Sequence, residues 1–311
     1  MNLVIVTPVF NDWKSFVQLQ ADIDLALRNL DVDYQVLAVN DDSSITPPPD
    51  IGCDVLHLTC NLGHQRAIAI ALAFVADELS CDQVIVMDAD GEDRPSDIPA
   101  MLKASTEEPS AIVVARRDKR SEGAAFKVGY RLYQGLFRMF TGQRLPFGNF
   151  CLIPIEVVKR LVFQESLWNH LPATVLRSRF DVVMVPTARG VRYAGQSQMN
   201  PGSLVLLGLS AVSVYSDVAL LRTLFGSFLL SLLAFLGIAT TASIRVFSEL
   251  AIPGWASNVV GSMTIILVQC IVVSIFLLFI VLSNRSQRGF IAAQHFRDYV
   301  LKVDRRAERQ R

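Results

Sequence analysis

The chain lacks charge in two long stretches. No Asp, Glu, Lys or Arg occurs from Thr223 to Ile244, and none from Trp255 to Ser283. A helix rises about 1.5 Å per residue, so about 20 residues cross the ~30 Å hydrocarbon core of a bilayer. Both runs are long enough, and they point to two transmembrane helices rather than a pair of buried core helices. They also account for a mean hydropathy of +0.38 in a 311-residue chain. The five cysteines (Cys53, Cys60, Cys81, Cys151 and Cys270) show no CxxC spacing. That argues against a disulfide framework and for a reducing compartment. The N-terminal MNLVIVTPVF has no basic region before its apolar run and turns polar at Asn11-Asp12, so it reads as a first strand rather than a signal peptide. There is no net charge either, and no nucleic-acid partner is expected.

The charge that is present is unevenly spread. From Asn284 onward eight basic residues face three acidic ones, and between the two apolar runs stand only Arg245 and Glu249. Lys and Arg mark the cytosolic side of a membrane protein. Both termini are therefore expected in the cytosol, with a short loop across the membrane, most simply a bacterial inner membrane. A basic tail beside a bilayer also suits anionic headgroups. Pro201 to Leu221 is apolar but carries Ser203, Ser210, Ser213, Ser216 and Asp217. It reads as interfacial amphipathic helices lying on the membrane, with a domain helix packed on the core as the alternative.

The first two hundred residues alternate. Leu3–Thr7, Tyr34–Val39, Val55–Leu58, Val84–Met87 and Ala111–Ala115 read as strands, with helices between them, the clearest from Gln65 to Glu78. Such alternation argues an α/β domain with a mostly parallel sheet, which binds ligands beyond the carboxyl ends of its strands. Polar clusters fall at those ends: Thr7-Pro8, Asn40-Asp41, Asn61-Gly63 and Asp88-Ala89-Asp90. Two carboxylates one residue apart after a buried strand are hard oxygen ligands. They suit Mg²⁺ or Mn²⁺ held together with substrate phosphates. An isolated Asp-x-Asp-Gly is most often only a turn; four clusters at four strand ends are harder to read that way.

In order along the chain, Thr7-Pro8-Val9-Phe10-Asn11, Asn40-Asp41-Asp42-Ser43, Asn61-Leu62-Gly63 and Asp88-Ala89-Asp90 resemble the motifs of family 2 glycosyltransferases with the GT-A fold. Arg116-Arg117-Asp118-Lys119-Arg120, Gly148-Asn149-Phe150, Arg192 to Ser197 and two C-terminal spans narrow the likeness to polyprenyl-phosphate glycosyltransferases, over about residues 1–283. Departures from that pattern stand at Asp42, His64-Gln65, Asn149 and Gln198.

The resemblance implies a GT-A (Rossmann-like) domain over 1–200, interfacial helices over 201–222, a two-helix membrane region over 223–283 and a basic cytosolic tail over 284–311. It implies an inverting transferase that moves one sugar from a nucleotide-diphosphate sugar to a polyprenyl phosphate. Asp90 is the expected direct ligand of Mg²⁺ or Mn²⁺, with Asp88 on the ribose or a metal-bound water. Thr7, Pro8, Asn11, Asp41 and Asn61 are expected around the nucleotide. Arg192 is expected on phosphate, where a guanidinium makes bidentate contacts. Arg117, Arg120 and Ser197 are expected near the acceptor phosphate. His64 reads as a residue of the helix start. Membrane lipids are implied partners, and a homo-oligomer is compatible with the sequence. Two alternatives stay open: a membrane-bound saccharide acceptor, or a membrane-anchored binding protein with a decayed transferase domain.

Overall fold

One eight-stranded sheet organises the protein outside its two long helices. Its strands are β1 (Asn2–Val9), β2 (Asp33–Asn40), β3 (Asp54–Leu58), β4 (Gln83–Val86), β5 (Ile112–Arg117), β6 (Cys151–Pro154), β7 (Val182–Thr187) and β8 (Val300–Asp304). Their order is β7-β5-β6-β4-β1-β2-β3-β8. Only β6 and β8 run against the rest: β6 is antiparallel to both β4 and β5, and β8 to β3. The computed structural model describes residues 1–117, 134–194, 201–247, 254–286 and 289–306. Two compact units are present: Met1–Gly135, Gln143–Val214 and Gly289–Arg311 form the first, and Leu136–Gly142 and Tyr215–Arg288 the second.

The period-two geometry of a strand sends alternate side chains to opposite layers. Leu3 and Ile5 of β1 pack with α1 (Trp13–Leu27) and α3 (Ile98–Glu107) on one face. Val4 and Val6 pack on the other, with α2 (His64–Glu78), α4 (Ile155–Leu161), α5 (Leu171–Arg177) and α9 (Ala292–Tyr299). Every residue from Ala67 to Val75 is buried. A helix hydrophobic on all sides must be covered on all sides. The alanines keep α2 thin against the sheet, and α9 covers its outer face with Phe296 set edge-on to Phe74, 6.5 Å between ring centres. Trp168, Phe290 and Tyr299 gather beside that contact. Each large apolar side chain so buried contributes about 1.5–3 kcal/mol.

Four elements are absent from the sequence reading: β6, which follows directly on Phe150, α5, and α9 and β8, which occupy residues expected to be a basic tail. The apolar stretch from Pro201 divides into α6 (Pro201–Ser213) and the start of α7 (Ser216–Phe247), so Ser216–Leu221 continue directly into the first long helix.

In the second unit α7 and α8 (Trp255–Ser286) run antiparallel: Ser227 meets Cys270 and Ser274, and Gly237 meets Met263. The Ser227 hydroxyl donates to the Cys270 carbonyl at 2.9 Å, a polar contact between the two helices. Both helices are long and apolar enough to cross a membrane and are almost wholly exposed. Phe225, Phe228, Phe235, Phe276 and Phe279 point outward, a surface suited to lipid.

Connectivity then fixes a relation between the ends of this hairpin. The chain leaves the first unit at Val214 and re-enters it at Gly289, where β8 joins the sheet of β1–β7. If α7 and α8 both cross a bilayer, they must return the chain to the side it left. In sealed membranes of a cysteine-free protein, Lys14→Cys and Lys302→Cys should therefore react together, or stay protected together, with an impermeant maleimide. Opposite accessibility of the two sites would break the hairpin.

Candidate active site

Strand order reverses between β1 and β4: β2 and β3 extend the sheet to one side of β1, while β4 lies on the other. A crevice opens beyond the carboxyl ends at such a point. Four loops surround it, following β1, β2, β3 and β4.

After β2, Asp41 is 3% exposed, and both of its oxygens are engaged. Oδ1 accepts the Leu62 N–H at 2.7 Å and Oδ2 the Gly63 N–H at 2.9 Å, while Asn61 donates to the Asp41 carbonyl. The carboxylate thus shapes the turn that leads into α2. Burial raises its pKa, and the two N–H donors and the nearby imidazole of His64 pull the other way. Asp42 follows with φ +55°, and Asn11 on the neighbouring loop has φ +56°. Short polar side chains tolerate this left-handed region, which explains how Asp42 stands where the family pattern has glycine. Thr7 is fully buried, and among the described residues its hydroxyl has no hydrogen-bond partner.

After β4 the chain crowds four carboxylates into six residues: Asp88, Asp90, Glu92 and Asp93. Two have internal duties. Asp93, 4% exposed, accepts the Asp88 N–H at 3.0 Å. Glu92 is gripped bidentately by Arg189, with Nη2–Oε1 at 2.7 Å and Nε–Oε2 at 3.1 Å. Asp90 accepts the Glu92 N–H on Oδ1, and its Oδ2 lies 2.6 Å from Nη2 of Arg192. Burial and the charge of Asp88 raise the Asp90 pKa. The segment 189–193 is laced along this loop, for Tyr193 N–H donates to the Asp90 carbonyl and Gly190 N–H to that of Glu92. Gly91 has φ +86°, and a Cβ there would lie 2.5 Å from the Tyr193 ring. Only glycine fits that turn.

The sequence reading kept His64 as a helix-start residue. It does open α2, and its Nε2 also lies 3.1 Å from Oδ1 of Asp88. The same nitrogen is 2.9 Å from the amide of Asn149, whose Oδ1 accepts from Gln65, whose Oε1 in turn accepts the Leu171 N–H. Packing disfavours the imidazolium, but the charges of Asp88, Asp93 and Asp90 outweigh this and raise the His64 pKa. Burial and the proximity of His64 hold His170 down to about 4, so it stays neutral and its Nδ1 accepts the Ala173 N–H at the start of α5. Three of the departures from the family pattern, Gln65, Asn149 and His64, thus form one chain that ends on the His64 ring, beside Asp88.

Asp88, Asp90 and Arg192 are brought together, and His64 links them to Asp41. Arg117 is the last residue of β5, in register with Thr187. Arg120 and Ser197 lie outside the described residues. Among the described residues no group of three or more His, Cys, Asp or Glu is assembled as a metal cage. The donor set nevertheless fits a hard divalent cation: two carboxylates with an excess of negative charge, open to further oxygen ligands from a substrate. Sequence reasoning gave no role to Arg189, or to Tyr193, although Tyr193 stands within the motif Arg192 to Ser197.

The Asp41 clamp carries a stability prediction. Asp41→Ala strands two backbone N–H groups and should cost about 1–3 kcal/mol, read as a lower denaturation midpoint of the full chain in detergent. Asp41→Asn retains an acceptor oxygen and should cost less. Wild-type stability in Asp41→Ala would remove the clamp.

The family model for glycosyl transferase family 2 matches residues 4–166. An undecaprenyl-phosphate 4-deoxy-4-formamido-L-arabinose transferase of Erwinia tasmaniensis is 25% identical over 260 residues, 75% of this chain and 77% of the relative. The enzyme of the same name from Enterobacter sp. (strain 638) is 24% identical over 315 residues, 96% of this chain and 88% of the relative. Among solved structures, glucosyl-3-phosphoglycerate synthase from Mycobacterium tuberculosis, in complex with Mn²⁺, UDP-glucose and phosphoglyceric acid, superposes with a TM-score of 0.52 at 15% identity, covering 70% of this chain and 79% of that one. Mannosyl-3-phosphoglycerate synthase from Rubrobacter xylanophilus gives a TM-score of 0.51 at 16% identity, covering 70% and 73%. These structures share the GT-A fold, with its mostly parallel sheet and its crevice at the switch point. With the model matched across more than half its length, the chain belongs to glycosyl transferase family 2.

Proposed function

We propose that the protein is an inverting glycosyltransferase that moves one sugar from a nucleotide-diphosphate sugar to a polyprenyl phosphate at the cytosolic face of a membrane. The observation that carries this reading is the pair Asp88 and Asp90 at the end of β4, in a chain whose sheet is interrupted by two helices suited to a bilayer. Relatives named as undecaprenyl-phosphate sugar transferases, one matched over 96% of this chain, support the acceptor class.

In this reading Asp88 and Asp90 would hold Mg²⁺ or Mn²⁺, which would supply charge compensation for the departing nucleoside diphosphate. Arg192 adds a guanidinium beside the same phosphates, where charge-assisted contacts are strong. Its present pairing with Asp90 keeps it near the carboxylates until a substrate phosphate competes for it. Thr7, Pro8, Asn11 and Asn61 line the base and ribose. Asp41 keeps acceptor lone pairs beyond its two backbone contacts, since a carboxylate offers about four, and one of them takes an N–H from the base. Arg117, Arg120 and Ser197 are assigned to the acceptor phosphate on the strength of the motifs they belong to.

A hydroxyl acceptor needs a general base to become a nucleophile. A phosphate monoester, with its second pKa near 6, is mostly dianionic at neutral pH and needs none. Asn149, standing where the family pattern has a carboxylate, is consistent with that economy. One direct attack on the anomeric carbon inverts it: the phosphate oxygen forms the new bond as the bond to the nucleoside diphosphate breaks, and the electron pair leaves with that diphosphate.

Membranes containing the protein should label undecaprenyl phosphate from one member of a panel of radiolabelled nucleotide sugars, giving a monophosphate-linked sugar. Asp90→Asn should stay folded and lose at least about 100-fold in transfer, and EDTA should abolish wild-type transfer. A water-soluble oligosaccharide product, or a lipid product carrying diphosphate, would overturn the reading. Binding of a nucleotide sugar without turnover on any lipid phosphate would favour the decayed-transferase alternative.

A further inference from the structure

Beyond the residues that surround the crevice, one hydrogen-bonded chain reaches it from the far edge of the sheet. It starts in β8, the strand that follows both long helices. Asp304 Oδ2 lies 3.0 Å from Nε2 of His57 on β3. His57 Nδ1 lies 3.0 Å from Nδ2 of Asn40, the last residue of β2. Asn40 Oδ1 accepts the Ser43 N–H at 3.0 Å. Ser43 Oγ accepts the Asn11 N–H at 3.0 Å, and Asn11 Oδ1 accepts the Ile45 N–H at 3.1 Å. Every contact lies within the first compact unit.

The directions of these bonds are determined, not merely allowed. The Ser43 N–H can only donate, so the Asn40 amide must turn its oxygen to it and its NH₂ to His57. His57 Nδ1 therefore accepts, which makes the ring the tautomer with hydrogen on Nε2. That hydrogen points to the Asp304 carboxylate. His57 and Asn40 are 8% and 7% exposed, so water competes poorly for either, and the loss of one partner strands the next. The backbone adds to the latch: Thr59 N–H donates to the Tyr299 carbonyl, and Arg306 N–H donates to Asp54.

We infer that Asp304 and His57 are positioning residues for the nucleotide. Acting through Asn40, they hold the loop 41–45 and the facing Asn11 in the conformation that receives the base. This rests on the donor-site assignment made under Proposed function. Completion of the sheet by the segment after the second long helix would then set donor affinity, although that segment touches no substrate.

The test uses the full chain in detergent or nanodiscs with two readouts. The first needs no substrate: amide hydrogen exchange over residues 40–45. Asp304→Ala and His57→Phe should speed exchange there several-fold. Asp304→Asn, whose amide oxygen still accepts from Nε2–H, should restore wild-type exchange. Arg297→Ala, which removes a separate contact of α9 with Asp77 and Glu78, should leave residues 40–45 unchanged. The second readout is titration with UDP, GDP and CDP in the presence of Mn²⁺. The nucleotide that binds wild type should bind Asp304→Ala about tenfold more weakly, a usual size for coupling between sites, with Asp304→Asn near wild type. If either disrupting variant fails to fold, the other carries the test, since each breaks a different bond of the same chain. Faster exchange confined to residues 300–304, with 40–45 unchanged, would overturn the inference and leave β8 as a sheet edge alone. If no nucleoside diphosphate binds even the wild type, the donor-site reading fails, and the nucleotide-positioning inference falls with it whatever the exchange shows.

Discussion

Like-charge crowding at the end of β4 is the constraint around which this site is built. Asp88, Asp90, Glu92 and Asp93 stand within six residues, and carboxylates so close repel one another by several kcal/mol where water is scarce. The fold answers from two directions: with the guanidinium groups of Arg189 and Arg192 from the segment after β7, and with the imidazole of His64 from the head of α2. Asp93 is spent on a backbone N–H and Glu92 on a bidentate arginine. What remains is a pair, Asp88 and Asp90, whose compensation by Arg192 and His64 is incomplete. A site left short of positive charge in this way suits the divalent cation and diphosphate proposed for it.

The open sheet also has two edges. An exposed edge strand invites pairing with another chain. On one side the sheet ends in β7, and on the other β8 covers β3. The residues that supply β8 come from beyond both long helices, so the domain is closed by the chain segment most distant in sequence from its first strand. The aromatic group of Trp168, Phe290 and Tyr299, with Arg66 stacked 5.2 Å from the Trp168 ring centre, anchors that return.

Much of this was legible in the sequence because it obeys local rules. Buried parallel strands are short β-branched runs, and their ends carry polar clusters, so Asp41, Asn61, Asp88 and Asp90 could be placed in the crevice before any coordinates. Uncharged runs gave the two long helices for the same reason. The misses have physical causes as well. β6 has four residues, and antiparallel insertion between β4 and β5 leaves no mark in a run as short as Cys-Leu-Ile-Pro. α9 and β8 read as a charged tail because their polar face is exposed and their buried face is only Ala292, Phe296 and a few neighbours. The contacts of His64 with Asn149 and with Asp88 join residues 85 and 24 positions apart, and no periodicity encodes such separations. Asp42 showed as an oddity, and only its positive φ explains why a small polar residue serves there.

The position of β8 in the chain has a consequence for biogenesis. While the protein is being synthesised, β1 to β7 can assemble before the hairpin of α7 and α8 has entered the bilayer, but the outer edge of β3 has no partner until residues 300–304 emerge. Until then the domain carries an open strand edge and an uncovered α2, features that recruit chaperones or neighbouring nascent chains. If α7 and α8 insert during synthesis, insertion precedes the closing of the sheet, and a chain that fails to insert would present quality control with a nearly finished domain whose last strand is missing from its place.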